Sequence, residues 1–173
     1  GMSAAKNTDE YEDLDYNIGY AYFKKNDYSQ AVNYFKSYAS SANAEGAKKN
    51  DALLRLGDTY YVTSQYWPAM EAYQNAINNG VSNADYAAFQ KAISYGFVNR
   101  NDTKIEELNS FTGKYPRSPY RDDAMYELGN TYVSTNNTGQ AIQSYNKLIR
   151  DVPESALVPK AMLRQGLIYY NNN

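Results

Sequence analysis

Apolar and small residues return along this chain at helical spacing, interrupted at regular intervals by short polar stretches. Leu56-Gly57-Asp58-Thr59-Tyr60-Tyr61 reappears as Leu128-Gly129-Asn130-Thr131-Tyr132-Val133, with looser copies at Ile18-Gly19-Tyr20-Ala21-Tyr22 and Gln165-Gly166-Leu167-Ile168-Tyr169. Counted between the small residues Gly19, Gly57, Ala92, Gly129 and Gly166, the steps are 38, 35, 37 and 37 residues, the length of a helix–turn–helix repeat. A second phrase follows in each copy: Ala31/Phe35/Tyr38, Ala69/Tyr73/Ala76, Lys104/Leu108/Phe111 and Ala141/Tyr145/Leu148. Spacings of four and then three put these residues on one helical face. Each repeat therefore reads as two amphipathic helices packed together, with the small residue letting them approach closely.

The pattern predicts helices at 11–25 and 28–41, 48–63 and 67–79, 84–99 and 103–115, 119–134 and 138–151, and a last one at 156–170. Polar turns close the pairs at Lys25-Asn26-Asp27, Asn99-Arg100-Asn101-Asp102 and Thr135-Asn136-Asn137. Asp27 with Gln30, and Thr103 with Glu106, have the spacing of a capping box. Pro68 falls in a first turn, where a missing N–H costs little. The joints Tyr115-Pro116-Arg117-Ser118 and Val152-Pro153-Glu154-Ser155 match at an offset of 37. Each proline is expected to end one helix and each serine to cap the next, with Pro119 at a first helical position. The joint from Ser40 to Asn50 is longer and carries Gly46, so regularity is expected to be weakest there.

These phrases resemble the tetratricopeptide repeat, whose first helix has a Leu-Gly-x-x-Tyr core and whose second has Ala, an aromatic residue and a terminating Pro. The resemblance spans residues 12–170, closest in the second and fourth copies and weakest in the third, where Ala92 replaces Gly and Lys104 replaces Ala. It implies an all-α, right-handed superhelical solenoid whose first helices line a concave groove that holds a segment of a partner protein. The Pro-x-Ser joints are similar to those of a subgroup in bacterial envelope proteins, such as the lipoprotein of the outer-membrane barrel-assembly machine and the periplasmic Tol–Pal coordinator. That similarity implies a periplasmic or outer-membrane-associated location, with the cytoplasm as the alternative.

Composition narrows the chemistry. Cysteine and histidine are both absent from the 173 residues, which removes thiolate nucleophiles, Ser-His and Cys-His arrangements, and zinc sites built on those ligands. No catalytic residue, metal or cofactor is expected. The adjacent carboxylates Glu106-Glu107 and Asp122-Asp123 point about 100° apart on a helix and do not face one another. A net charge of −2, with no basic stripe, argues against nucleic acid. No apolar run is long enough to span a membrane.

The expected groove is mostly aromatic and apolar. Its candidate contacts are Tyr16, Tyr20 and Phe23, Asp58 and Tyr61, Phe89, Ile93 and Phe97, and Tyr126 and Asn130, with Tyr16, Tyr20, Tyr61 and Tyr126 foremost. Of the 20 tyrosines, Tyr22, Tyr60, Tyr95, Tyr132 and Tyr169 follow the small residue by three and are read as packing against the second helix. The carboxylate clamp of cytosolic chaperone-binding repeats is not expected, because Asn130 is a lone match to its Lys and Asn positions. Two alternatives to a protein-binding scaffold stand beside it: a glycan-binding accessory domain, and a purely structural stretch of a longer array. Met162, Leu163, Leu167, Ile168 and Tyr170 form a broad apolar face on the last helix, a candidate for homodimerisation. Residues 1–10 read as a tag remnant and disordered lead, and 11–173 as one array of four helix pairs plus one helix, expected to be part of a longer array.

Overall fold

Each helical hairpin turns on one residue in the left-handed region: Asn26 (φ 60°), Ser64 (59°), Asn99 (58°) and Asn136 (60°). Each stands seven places after the small residue of its repeat. The next N–H, of Asp27, Gln65, Arg100 and Asn137, donates back to the carbonyl of Tyr22, Tyr60, Tyr95 and Tyr132, at 3.0, 2.8, 2.9 and 2.8 Å. That closure satisfies carbonyls a helix end would otherwise leave unpaired, and asparagine tolerates the left-handed backbone better than most residues.

The computed structural model describes residues 2–41, 44 and 46–171, with side chains from Asp13 onward. Among the described residues there are nine α-helices and no strand: α1 Met2–Lys24, α2 Tyr28–Ser40, α3 Gly46–Val62, α4 Tyr66–Asn78, α5 Ala84–Phe97, α6 Asn101–Lys114, α7 Arg121–Ser134, α8 Thr138–Asp151 and α9 Val158–Asn171. Helices α2 to α9 follow the expected bounds closely. The start of α1 does not: the stretch expected as a disordered lead is helical from Met2, while Gly1 lies outside the described residues. Residues 2–18 hold neither Gly nor Pro and are rich in good helix formers. Residues 2–10 carry no apolar periodicity in the sequence, so a reading built on that signal passes over them.

Caps divide the second helices. Asp27 caps α2 by accepting from the Gln30 N–H, and Asn137 caps α8 by accepting from the Gln140 N–H, both at 3.4 Å. The expected cap at Thr103 is not formed, because α6 starts two residues earlier, at Asn101, behind Arg100. Ser118 and Ser155 also do not sit at the helix starts. Each organises the turn ahead of one: their hydroxyls accept from the N–H of Tyr120 and Leu157, both at 3.1 Å, and their carbonyls accept from Arg121 and Val158. Pro119 lies in that turn, not in α7.

Helices within a hairpin meet at the small residue. A Cβ added to Gly19 would lie 2.9 Å from the Phe35 ring, on Gly57 2.6 Å from Tyr73, and on Gly129 2.4 Å from Tyr145. All three rings are fully buried. A methyl group there has no room, so glycine is required for close approach.

The chain divides into two compact units, residues 1–94 and 95–173. In the first, Phe35, Tyr38 and Leu56 anchor one core and Leu53, Leu54 and Tyr73 a second. In the second, Met125, Tyr145, Leu148 and Ile168 form the core.

Candidate partner-binding face

The first helices of the hairpins carry a network of polar side chains that apolar periodicity does not reveal. In the first unit, Asp51 of α3 accepts from the hydroxyls of Tyr16 (2.7 Å) and Tyr20 of α1 through Oδ2, and from Arg55 Nε through Oδ1 (3.4 Å). Arg55 also donates through Nη1 to Asp58 Oδ2. Asp58 Oδ1 accepts from the hydroxyls of Tyr73 on α4 (2.9 Å) and Tyr86 on α5 (2.8 Å), and Gln90 Nε2 donates to Tyr86 at 3.1 Å. Side chains from α1, α3 and α5 are thus fixed by one another. Ring contacts reinforce the arrangement: Tyr16 lies 5.1 Å from Tyr20 and 5.3 Å from Tyr38, between centroids.

These contacts set the titration of the face. Burial, then the charge of Asp58, pushes the Tyr86 phenol up to about 12 and raises Tyr73 as well. Burial, followed by the hydrogen bond to Asp51, raises Tyr16 and Tyr20. The Asp58 carboxyl also moves up: burial outweighs the opposing pull of Arg55 and of the two hydroxyls. These tyrosines therefore stay protonated at neutral pH and act as hydrogen-bond donors.

The second unit repeats part of this chemistry. Asn130 Oδ1 accepts from the Tyr145 hydroxyl at 2.8 Å, as Asp58 does from Tyr73. Glu127 accepts from Lys104 (3.0 Å) and from Asn130 Nδ2 (3.4 Å). The Tyr126 ring lies 5.9 Å from Tyr145, and interaction with the Tyr126 hydroxyl raises the pKa of Arg164 on α9.

Against this geometry the expected contacts sort into kinds. Tyr16, Tyr20, Tyr61, Phe89, Ile93 and Tyr126 are half-buried, and Phe97 is exposed. Phe23 is half-buried and packs edge-on against Tyr28. Asp58 is buried, and both it and Asn130 are committed to partners inside their own repeats. Asp51, Lys104, Glu127 and Arg164 belong to the face although they were not among its expected contacts. The spacing of Asp51, Arg55 and Asp58, four and then three residues, was a legible signal for a polar stripe on α3.

Ile168 does not belong to the expected self-association face. It is buried with Met125 and Tyr145, while Met162, Leu163, Leu167 and Tyr170 are exposed. Tyr22 stacks on Tyr34 and Tyr60 packs between cores as expected, whereas Tyr169 is exposed.

On the opposite side, Leu56 and Tyr60 floor a cleft of about 330 Å³ rimmed by Lys36, Glu71 and Asn75. An equivalent cleft of about 140 Å³ has Leu128 and Tyr132 with Thr112, Gln143 and Lys147. Among the described residues no group of three or more His, Cys, Asp or Glu is placed to hold a metal ion, and no helix is long and apolar enough to cross a membrane.

Residues 16–44 and 123–155 each match a tetratricopeptide-repeat model. The matched stretches are the first and fourth hairpins. No curated protein sequence matches the chain. Among solved structures, the fold is similar to that of MamA, at 21% identity over 94% of this chain and 83% of that one, with a TM-score of 0.76. It is similar to YrrB, a TPR protein described as having an unusual peptide-binding site, at 23% identity over 86% and 72%, TM-score 0.67. It also resembles a tetratricopeptide-repeat protein from Parabacteroides merdae, at 17% identity over 88% and 58%, TM-score 0.74. At such identities the likeness establishes the fold alone, an all-α solenoid of the tetratricopeptide class. The chain thus carries tetratricopeptide repeats at its first and fourth hairpins, within a fold shared with such arrays.

Proposed function

We propose that this protein is a non-catalytic interaction scaffold whose first-helix faces hold a segment of a partner protein. The observation that carries this reading is the mutual locking of Tyr16, Tyr20, Asp51, Arg55, Asp58 and Tyr86 across three first helices. Side chains held this way lose little further entropy on binding, and half-buried tyrosines offer large contact area with a polar edge. The glycan-binding alternative is weakened, because Asp58 and Asn130, which it needs as convergent polar groups, are occupied by Tyr73 and Tyr145.

Peptides selected from a random display library against the folded protein test this reading. A recovered peptide should bind at least about tenfold more weakly to a folded Tyr61→Ala/Tyr126→Ala variant, the loss expected when interface anchors are removed. Unchanged affinity would move the site off this face. Failure to recover any peptide, set beside a positive glycan array, would favour the sugar reading; failure of both would favour a structural role. A periplasmic or outer-membrane-associated location is part of the proposal and rests on the two Pro-x-Ser joints. Fractionation of the source cell, with the protein found only in the cytoplasm, would remove it.

A further inference from the structure

The two outer clefts lie at the same register of their units, and their linings differ. Each has a first helix as its floor and a second helix on either side: α2 and α4 about α3, and α6 and α8 about α7. The floors are alike, with Leu53, Leu56 and Tyr60 in the first and Met125, Leu128 and Tyr132 in the second. The rims are not. Lys36 and Glu71 of the first cleft correspond in register to Asn109 and Gln143 of the second, so two opposite charges stand where the other cleft has two amides.

The second cleft closes on itself. Asn109 Nδ2 donates to the Tyr132 hydroxyl at 3.3 Å, and about 140 Å³ is left. In the first, neither Lys36 nor Glu71, nor the Asn75 amide, nor the Tyr60 hydroxyl, has a hydrogen-bond or ion-pair partner among the described residues. Charges placed to tie α2 to α4 would meet in an ion pair, and these do not. The space between them measures about 330 Å³. That lies within the roughly 300–1,000 Å³ of small-molecule sites, a range the second cleft does not reach.

The lining sets the chemistry of an occupant. A cation on one wall and an anion on the other call for a ligand carrying both charges, each met by a charge-assisted hydrogen bond. Between them the floor is apolar and closely packed, with Leu53 and Leu56 8% exposed and Ala72 3%. A volume at the low end of the range suits one small molecule and not a length of chain. We propose that the cleft between α2, α3 and α4 binds a free α-amino acid with an aliphatic side chain, its carboxylate on Lys36, its ammonium on Glu71 and its side chain on Leu53 and Leu56. This site stands apart from the first-helix faces and does not depend on them.

The test is a titration of the intact, isotope-labelled protein with L-leucine, followed through backbone amide chemical shifts. Saturable shifts centred on the cleft residues of α2, α3 and α4 are expected, with a Kd of about 1 mM or tighter. L-leucinamide, which lacks the carboxylate, and N-acetyl-L-leucine, which lacks the ammonium, should each bind at least about tenfold more weakly, because a site built for a polar group rejects the analogue without it. Lys36→Met should abolish the preference for leucine over leucinamide and keep that over N-acetyl-leucine; Glu71→Gln should do the reverse. Both positions are exposed, so both variants should melt as wild type and a lost preference is not a lost fold. Lys147→Met, in the second cleft, should change neither preference. No saturable binding of leucine, equal binding of all three compounds, shifts centred elsewhere, or preferences indifferent to both Lys36→Met and Glu71→Gln would each overturn the proposal.

Discussion

At the scale of single residues, the repeat is specified by a pairing of shapes. Where the second helix carries Tyr73 or Tyr145, the first carries Gly followed by Asp58 or Asn130, so both the ring and its hydroxyl are accommodated. Where the ring is Phe35, with no hydroxyl, the residue after Gly19 is Tyr20, which stacks edge-on at 5.4 Å instead. Gly57→Ala and Gly129→Ala should each destabilise, because overpacking of about 1–3 kcal/mol outweighs the roughly 1 kcal/mol that Ala gains in a helix. Gly139→Ala and Gly166→Ala, where nothing lies within 4 Å, should instead raise stability by about 0.5–1 kcal/mol in denaturant melts. A loss at all four positions would refute the shape argument. Asp58 supplies a pH test. Its carboxyl titrates above the ordinary 3.8 because burial disfavours the ionised form. Its contribution to stability is therefore largest below that pH and declines as pH rises through the folded-state value. The stability of wild type relative to Asp58→Asn should fall as pH rises above the ordinary carboxylate range, and melts showing it rise there would reverse the assignment.

At the scale of elements, the hairpins share one turn but not one start. Ser64 alone among the four left-handed turn positions is not asparagine, and glycine or asparagine meets a φ of 59° with less strain. Ser64→Gly should stabilise by about 0.5–1 kcal/mol. Removing the caps with Asp27→Ala or Asn137→Ala should cost about 1 kcal/mol each. Gln65 makes no cap hydrogen bond, and Gln65→Asp should recover part of that amount in α4. Thermal melts of the single variants separate these effects. Helix positions were readable from the chain because each helix buries a periodic stripe, and the turns because polar residues break that stripe. The start of α1 and the cap of α6 were not readable: residues 2–10 carry no apolar periodicity in the sequence, and α6 starts at Asn101 behind Arg100, with no side-chain cap to mark a start two residues ahead of Thr103.

At the scale of the whole molecule, tetratricopeptide architecture followed from the period and the Gly-x-x-Tyr register, but the character of the proposed partner-binding face did not. Tyr16 and Tyr20 lie one turn apart on α1, and Tyr61 and Tyr126 lie on the first helices α3 and α7, which is why the register singles them out as candidates. The polar network was not legible, because Asp51 and Tyr16 lie 35 residues apart in sequence and meet only when α1 and α3 pack together. The division into two units was likewise hidden. It falls in the repeat that departs most from the pattern, with Ala92 and Lys104 at the Gly and Ala positions. The central claim is that the first-helix faces, and not the outer clefts, receive the partner segment. Photo-crosslinking tests it most directly, with benzophenone side chains placed singly at Tyr61 and Tyr126 on the faces, and at Glu71 and Gln143 on the clefts, against a display-selected peptide. The account predicts peptide adducts from Tyr61 and Tyr126 and none from Glu71 or Gln143; adducts from the cleft positions alone would contradict it.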